Sequence, residues 1–130
     1  MLFKAFSAAV YGIHAHIIDV EVDFSGIKTM EDRFHTVGLP DAAVRESRDR
    51  VRAAIKNSGF DIPPTQITIN LAPADLKKEG SGFDLPIAIG ILGAYGGLQL
   101  RDLSNFLLIG ELGLDGSLRP VQGMLPIDYK

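Results

Sequence analysis

The sequence predicts an α/β (α+β) domain, and three observations carry that expectation. From Ala15 to Phe24 apolar and acidic residues alternate, with Ile18, Val20, Val22 and Phe24 on one face and Asp19, Glu21 and Asp23 on the other. This period of two belongs to a half-buried antiparallel strand. Between Pro40 and Gly59 the apolar residues Val44, Val51, Ala54 and Ile55 recur at helical spacing and predict an amphipathic helix. The stretch Leu85 to Leu98 is apolar on all sides and too short to span a bilayer, so it predicts a core helix covered by other elements.

Size and charge narrow the function classes. The 130 residues, 46% hydrophobic and 22% charged, suit one globular domain over residues 1–130. Thirteen Lys and Arg against 16 Asp and Glu give a net charge of −3, so any nucleic-acid binding must use a local patch. With no cysteine there is neither a disulfide framework nor a thiolate metal site, as suits a reducing cytoplasm. The N-terminus is too mixed for a signal peptide, with His14, His16 and Asp19 following soon after its apolar residues, and it reads as structure. No membrane partner is expected.

In chain order, Phe3 to Val10 reads as a first strand, and Tyr11-Gly12 as a bend into the alternating strand. Ser25 to Asp32 is polar and aperiodic, predicting a hairpin loop into a short strand at Phe34 to Val37. Pro40 and Asp41 suit a helix start, and Gly59 a helix stop after Ser58. Asp61-Ile62-Pro63-Pro64 is a rigid extended link into a strand over Gln66 to Leu71, with Ile67, Ile69 and Leu71 inward. Arg101 to Asn105 reads as a helical turn and Phe106 to Ile109 as an apolar strand. Asp115-Gly116 between short apolar runs is a hairpin signal. Residues Val121 to Lys130 resemble the start of a further element.

Three groups of residues invite a functional reading. Asp19, Glu21 and Asp23 are in line on one strand, where carboxylates about 7 Å apart diverge, so a solvated face is expected rather than a cation site. On the first helix, Arg45, Arg48, Arg50, Arg52 and Lys56 lie opposite the apolar stripe. Glu46 with Arg50 and Arg45 with Asp49 are spaced to pair, whereas Arg48, Arg52 and Lys56 form an i, i+4, i+8 row of like charge. That row suits either a solvated face or an anionic partner such as a phosphate chain. The loop after Pro73 carries Lys77, Lys78 and two glycines, and its backbone amides suit an anion; Asp84 then reads as a helix cap. His14 and His16 share one strand face and His35 is on another strand, with no partner set for metal or catalysis.

Taken in order, HTVGLPDAAVRESRDRVRAAIKNSGF, INLAPADLKKEG, FDLPIAIGIL and IGELGLDGSLRPVQGMLPI closely resemble the N-terminal domain of magnesium-chelatase-like AAA+ ATPases of the ComM (YifB) type. The resemblance covers nearly the whole chain. It implies a fold like the Lon protease domain and a ribosomal small-subunit protein domain, with helices packed on a mixed sheet. It also implies an excised domain of a longer chain. The Walker A pattern G-x-x-x-x-G-K-[ST] occurs nowhere in the 130 residues, so ATP and Mg are assigned to an absent AAA+ module, with no cofactor in this domain.

Lon-type proteases place a nucleophilic Ser in a Lys-Asp-Gly-Pro-Ser-Ala-Gly loop and a Lys, its base, some forty residues on. Laid on that pattern, the nucleophile position falls on Gly82, with Ser81 displaced by one, and the Lys position on Leu125. The resemblance therefore implies a non-catalytic accessory domain of a hexameric motor that acts on DNA in recombination and natural transformation. Its contact surface is expected at Arg48, Arg52 and Lys56, joined by Lys77 and Lys78 if the fold brings them near. Its expected partners are DNA, its own ATPase module and neighbouring subunits. A docking or oligomerisation module and a degenerate hydrolase using Ser81 are the alternatives. Porphyrin metallation is suggested only by the family's name.

Overall fold

The computed structural model describes residues 2–28, 33–78, 81–96, 103 and 105–120. Among these, strands β1 (Leu2–Tyr11) and β2 (His14–Lys28) form a hairpin, and β3 (Arg33–Val37) leads into helix α1 (Asp41–Asn57). Strand β4 (Thr65–Ala72), helix α2 (Asp84–Tyr95) and a small hairpin of β5 (Glu111–Leu112) and β6 (Leu118–Arg119) follow. The main sheet has the order β1-β2-β4-β3, antiparallel except where β3 runs parallel to β4. The α+β class and the mixed sheet with packed helices are therefore what the sequence led us to expect.

Alternation explains which face is inside. Ile18, Val20 and Val22 of β2 and Ile67, Ile69 and Leu71 of β4 are each at most 1% exposed, and they pair across the strands, Val20 opposite Leu71 and Val22 opposite Ile69. Burying each such side chain contributes about 1.5–3 kcal/mol, so this double row is the base of the core. Helix α2 lies on that row with most of its residues buried. Its glycines let it sit close: a Cβ at Gly90 would stand 2.5 Å from Val22 Cγ2, and one at Gly93 2.5 Å from the Phe3 ring. Helix α1 adds Val51, Ala54 and Ile55 to the same core, while Val44 is only partly buried.

Several expectations are corrected. Of the hairpin loop expected over Ser25 to Asp32, residues 25–28 belong instead to β2, which runs on to Lys28 through an irregularity after Phe24, residues 29–32 lie outside the described residues, and β4 lies between β2 and β3. A strand with three fully buried residues belongs inside a sheet, and that long-range pairing overrides the local turn signal. Helix α2 stops at Tyr95, because Gly96 takes a left-handed conformation (φ 85°) and its N–H returns to the Leu92 carbonyl. Phe106 to Ile109 is not a strand, though Leu108 N–H donates to the Phe6 carbonyl at 2.8 Å. The Asp115-Gly116 turn does close a hairpin, with Gly116 at φ 88° and Gly113 N–H donating to the Ser117 carbonyl at 2.8 Å. The turn expected at Arg101 to Asn105 falls mostly outside the described residues, and the element expected from Val121 falls wholly outside them.

Candidate functional site

The loop between β4 and α2 is held from below by one carboxylate. Asp84 is fully buried, and instead of capping α2 it is the helix's first residue, with its side chain turned inward. Its Oδ1 accepts from Ser47 Oγ at 2.8 Å and from Arg50 Nη2 at 3.2 Å; its Oδ2 accepts from Arg50 Nε at 2.6 Å and from Leu112 N–H at 3.1 Å. Four donors from α1 and the β5 strand thus converge on one charge. Burying a carboxylate is tolerated only when it is paired and its lone pairs are filled, and both conditions hold here. The hydrogen bond to Asp84 raises the Arg50 pKa, against the opposing effect of burial.

This cluster corrects the sequence reading of α1. Arg50 was expected to pair with Glu46 on the solvated face, yet it reaches across to α2 with 23% of its side chain exposed. The signal was present: Ser47, Arg50, Val51 and Ala54 lie three, one and three apart, so they share the inward stripe. Polarity alone hid it.

Beside the carboxylate, backbone bonds stitch the loop to the segment before β5. Gly110 N–H donates to the Gly82 carbonyl at 2.9 Å, and Leu85 N–H to the Gly110 carbonyl at 3.1 Å. Gly82, at the position of a Lon-type nucleophile, is buried beneath this segment, and Ser81 is partly buried. No side chain among the described residues is hydrogen-bonded to the Ser81 hydroxyl, while Leu125 lies outside them. Lys78 was expected on the cationic surface, but it is 2% exposed, its ammonium donating to the carbonyls of Pro73 and, at 2.8 Å, Leu76. Burial pushes its pKa down, with Asp75 opposing. Lys78 ties the loop to itself and is withdrawn from any surface contact.

The cationic row is divided by the structure. Arg48 is partly covered, with its Nε buried, lacking a hydrogen-bond acceptor and 3.7 Å from Asp49 Oδ1. Arg52 and Lys56 are exposed and rim a cavity of about 480 Å³ between α1, the segment at Phe60 to Ile62, and the paired residues Phe34 and Ile67. Lys77 is exposed but follows the far end of β4, roughly 17 Å beyond Ile67 at about 3.3 Å per residue. Lys77 is not among the residues that line that cavity.

Elsewhere, Asp19 of the carboxylate line pairs with Lys4 at 3.5 Å, and Glu21 accepts from Asn70 at 2.9 Å. Among the described residues no group of three or more His, Asp or Glu is placed to hold a metal ion, and no helix is long and apolar enough to cross a membrane.

A mixed sheet under two helices, locked by a buried carboxylate at the start of α2, defines an α+β domain. The family model described as subunit ChlI of Mg-chelatase matches residues 20–130, and the chain belongs to that family. It is 48% identical over 121 residues to the competence protein ComM of Haemophilus influenzae, covering 93% of this chain and 23% of that protein. To YifB of Escherichia coli it is 50% identical over 118 residues, 90% of this chain and 22% of the other. An uncharacterised protein of Mycobacterium tuberculosis shares 48% identity over 126 residues, 96% of this chain and 24% of its own length. The chain thus spans about a quarter of the length of the curated relatives it matches. The resemblance to the ComM and YifB type holds.

Proposed function

We propose that the chain is a non-catalytic accessory domain of a magnesium-chelatase-like AAA+ ATPase that processes DNA, and that its Arg48–Arg52–Lys56 helix face meets DNA phosphates. One observation carries the contact: Arg52 and Lys56 are exposed one turn apart at the rim of an open cavity. The name of the relative ComM supports a setting in natural transformation, with DNA as the polymer handled. ATP and Mg belong to the remaining three quarters of such a protein, whose hexameric arrangement is what the family resemblance implies, and this chain supplies a surface. The non-catalytic reading is supported by Gly82 at the nucleophile position and by Lys78, whose amine is occupied by loop carbonyls.

The test is a fluorescence-anisotropy titration of the chain with single- and double-stranded DNA at two salt concentrations. Binding that weakens with salt, and charge reversal at Arg48 and Arg52 that lowers both affinity and salt slope, is the expected result. Unchanged affinity and slope in the double variant would remove the phosphate contact. A docking role is favoured by a different observation: Phe106, Leu114 and Leu118 are 58–60% exposed on and before the β5–β6 hairpin. It gains ground if the chain binds no DNA at low salt and associates with the ATPase module.

A further inference from the structure

We infer that the cavity rimmed by Arg52 and Lys56 is a pocket for one unstacked nucleotide of a single strand. This rests on the DNA-contact reading and adds to it the part of DNA that is recognised. At about 480 Å³ the cavity is within the range of about 300–1,000 Å³ common to small-ligand sites, and it is larger than a bare phosphate needs. Its lining is divided by chemistry. Phe34 and Phe60, both partly buried against the core, supply aromatic surface, and aliphatic side chains of β4 and α2 close the floor. Arg52 and Lys56 supply positive charge on one wall, and Asp49 and Asp61 supply carboxylates.

Each component excludes a simpler ligand. The cations alone would suit any phosphate tract, but Phe34 and Phe60 add an aromatic surface that a phosphate does not use. A wholly apolar ligand makes no use of the exposed Lys56 at the rim. A nucleotide matches both kinds of surface: its base lies against the aromatic surface, its phosphate meets the cations, and an exocyclic amino group, as on cytosine, donates to the Asp61 carboxylate. A base within a duplex is stacked on both faces and does not enter a pocket, so the polymer is single-stranded or locally opened.

Labelled oligo-dC and an abasic deoxyribose-phosphate oligomer of equal length separate base from phosphate recognition, since they carry the same charge. Wild-type chain is expected to bind oligo-dC about tenfold more tightly than the abasic strand. Phe60→Leu keeps apolar volume against the core but removes the aromatic face, and it is expected to erase that preference while leaving the salt slope unchanged. Circular dichroism on the variant establishes that it is folded, and Asp61→Asn, at an exposed position, provides a second variant expected to reduce the oligo-dC preference. Equal binding of the two strands by wild type would overturn the pocket and leave the phosphate contact standing. A preference that survives both substitutions would also overturn it, by placing base recognition elsewhere. Failure of both strands to bind at low salt would overturn the pocket and the DNA-contact reading together.

Discussion

Asp84 and Lys78 are two buried charges a few residues apart, and they are stabilised in opposite ways. The Asp84 carboxylate has a full cation that donates to it twice and two further donors around it, whereas the Lys78 ammonium has only carbonyl dipoles of its own loop. Asp84→Ala strands Arg50, Ser47 and the Leu112 N–H at once, so it is expected to cost about 3–5 kcal/mol, read as a lowered urea midpoint. A loss under about 1 kcal/mol would mean that water replaces the carboxylate. For Lys78 the sign runs the other way. Its folded pKa is depressed by burial, so between that value and the ordinary lysine range the unfolded chain holds more protons than the folded one. Stability should therefore climb as pH rises toward about 10, and the climb should flatten in Lys78→Met. Parallel urea titrations of both proteins across that range would reveal a Lys78 that is ordinarily solvated if their slopes coincide. Neither burial was legible from the sequence, because charged residues in a Gly-rich loop read as solvated and only tertiary contacts turn them inward.

The helices and strands show why some elements were readable and others not. Strands β2 and β4 announce themselves by alternation, α1 by its apolar stripe, and the β5–β6 hairpin by Asp115-Gly116, all local patterns that the fold leaves intact. Strand order is not local: that β4 lies between β2 and β3 depends on residues some forty positions apart. The same distinction governs glycine. In α2, Gly90 faces Val22, and the Cβ of Gly90→Ala would meet Val22 Cγ2 at 2.5 Å inside a packed core. Overpacking typically costs about 1–3 kcal/mol, and the gain in helix propensity returns about 1 kcal/mol. Gly90→Ala should thus be neutral to destabilising by about 2 kcal/mol in urea unfolding, and a stabilised variant would show that α2 is free to shift off the sheet.

On the scale of the whole chain, function depends on whether DNA is attracted by total charge or by one face. The net charge of −3 opposes a general attraction, and exposed Lys77 lies off the cavity that Arg52 and Lys56 rim. The sequence presented Arg48, Arg52, Lys56, Lys77 and Lys78 as a possible single surface, because it could not show that Lys78 folds inward and that Lys77 does not line the cavity. Lys56→Glu and Lys77→Glu alter net charge equally, so any long-range effect must act on both alike. A local contact acts on only one. Lys56→Glu is expected to reduce the salt slope for a single strand by about 0.7, the share of one phosphate contact, and to weaken binding at low salt. Lys77→Glu is expected to leave the slope within error of wild type, because Lys77 follows the opposite end of β4 from the pocket. Equal shifts in both variants would assign binding to the overall field of the protein and would deny the Arg52–Lys56 rim any special part in it.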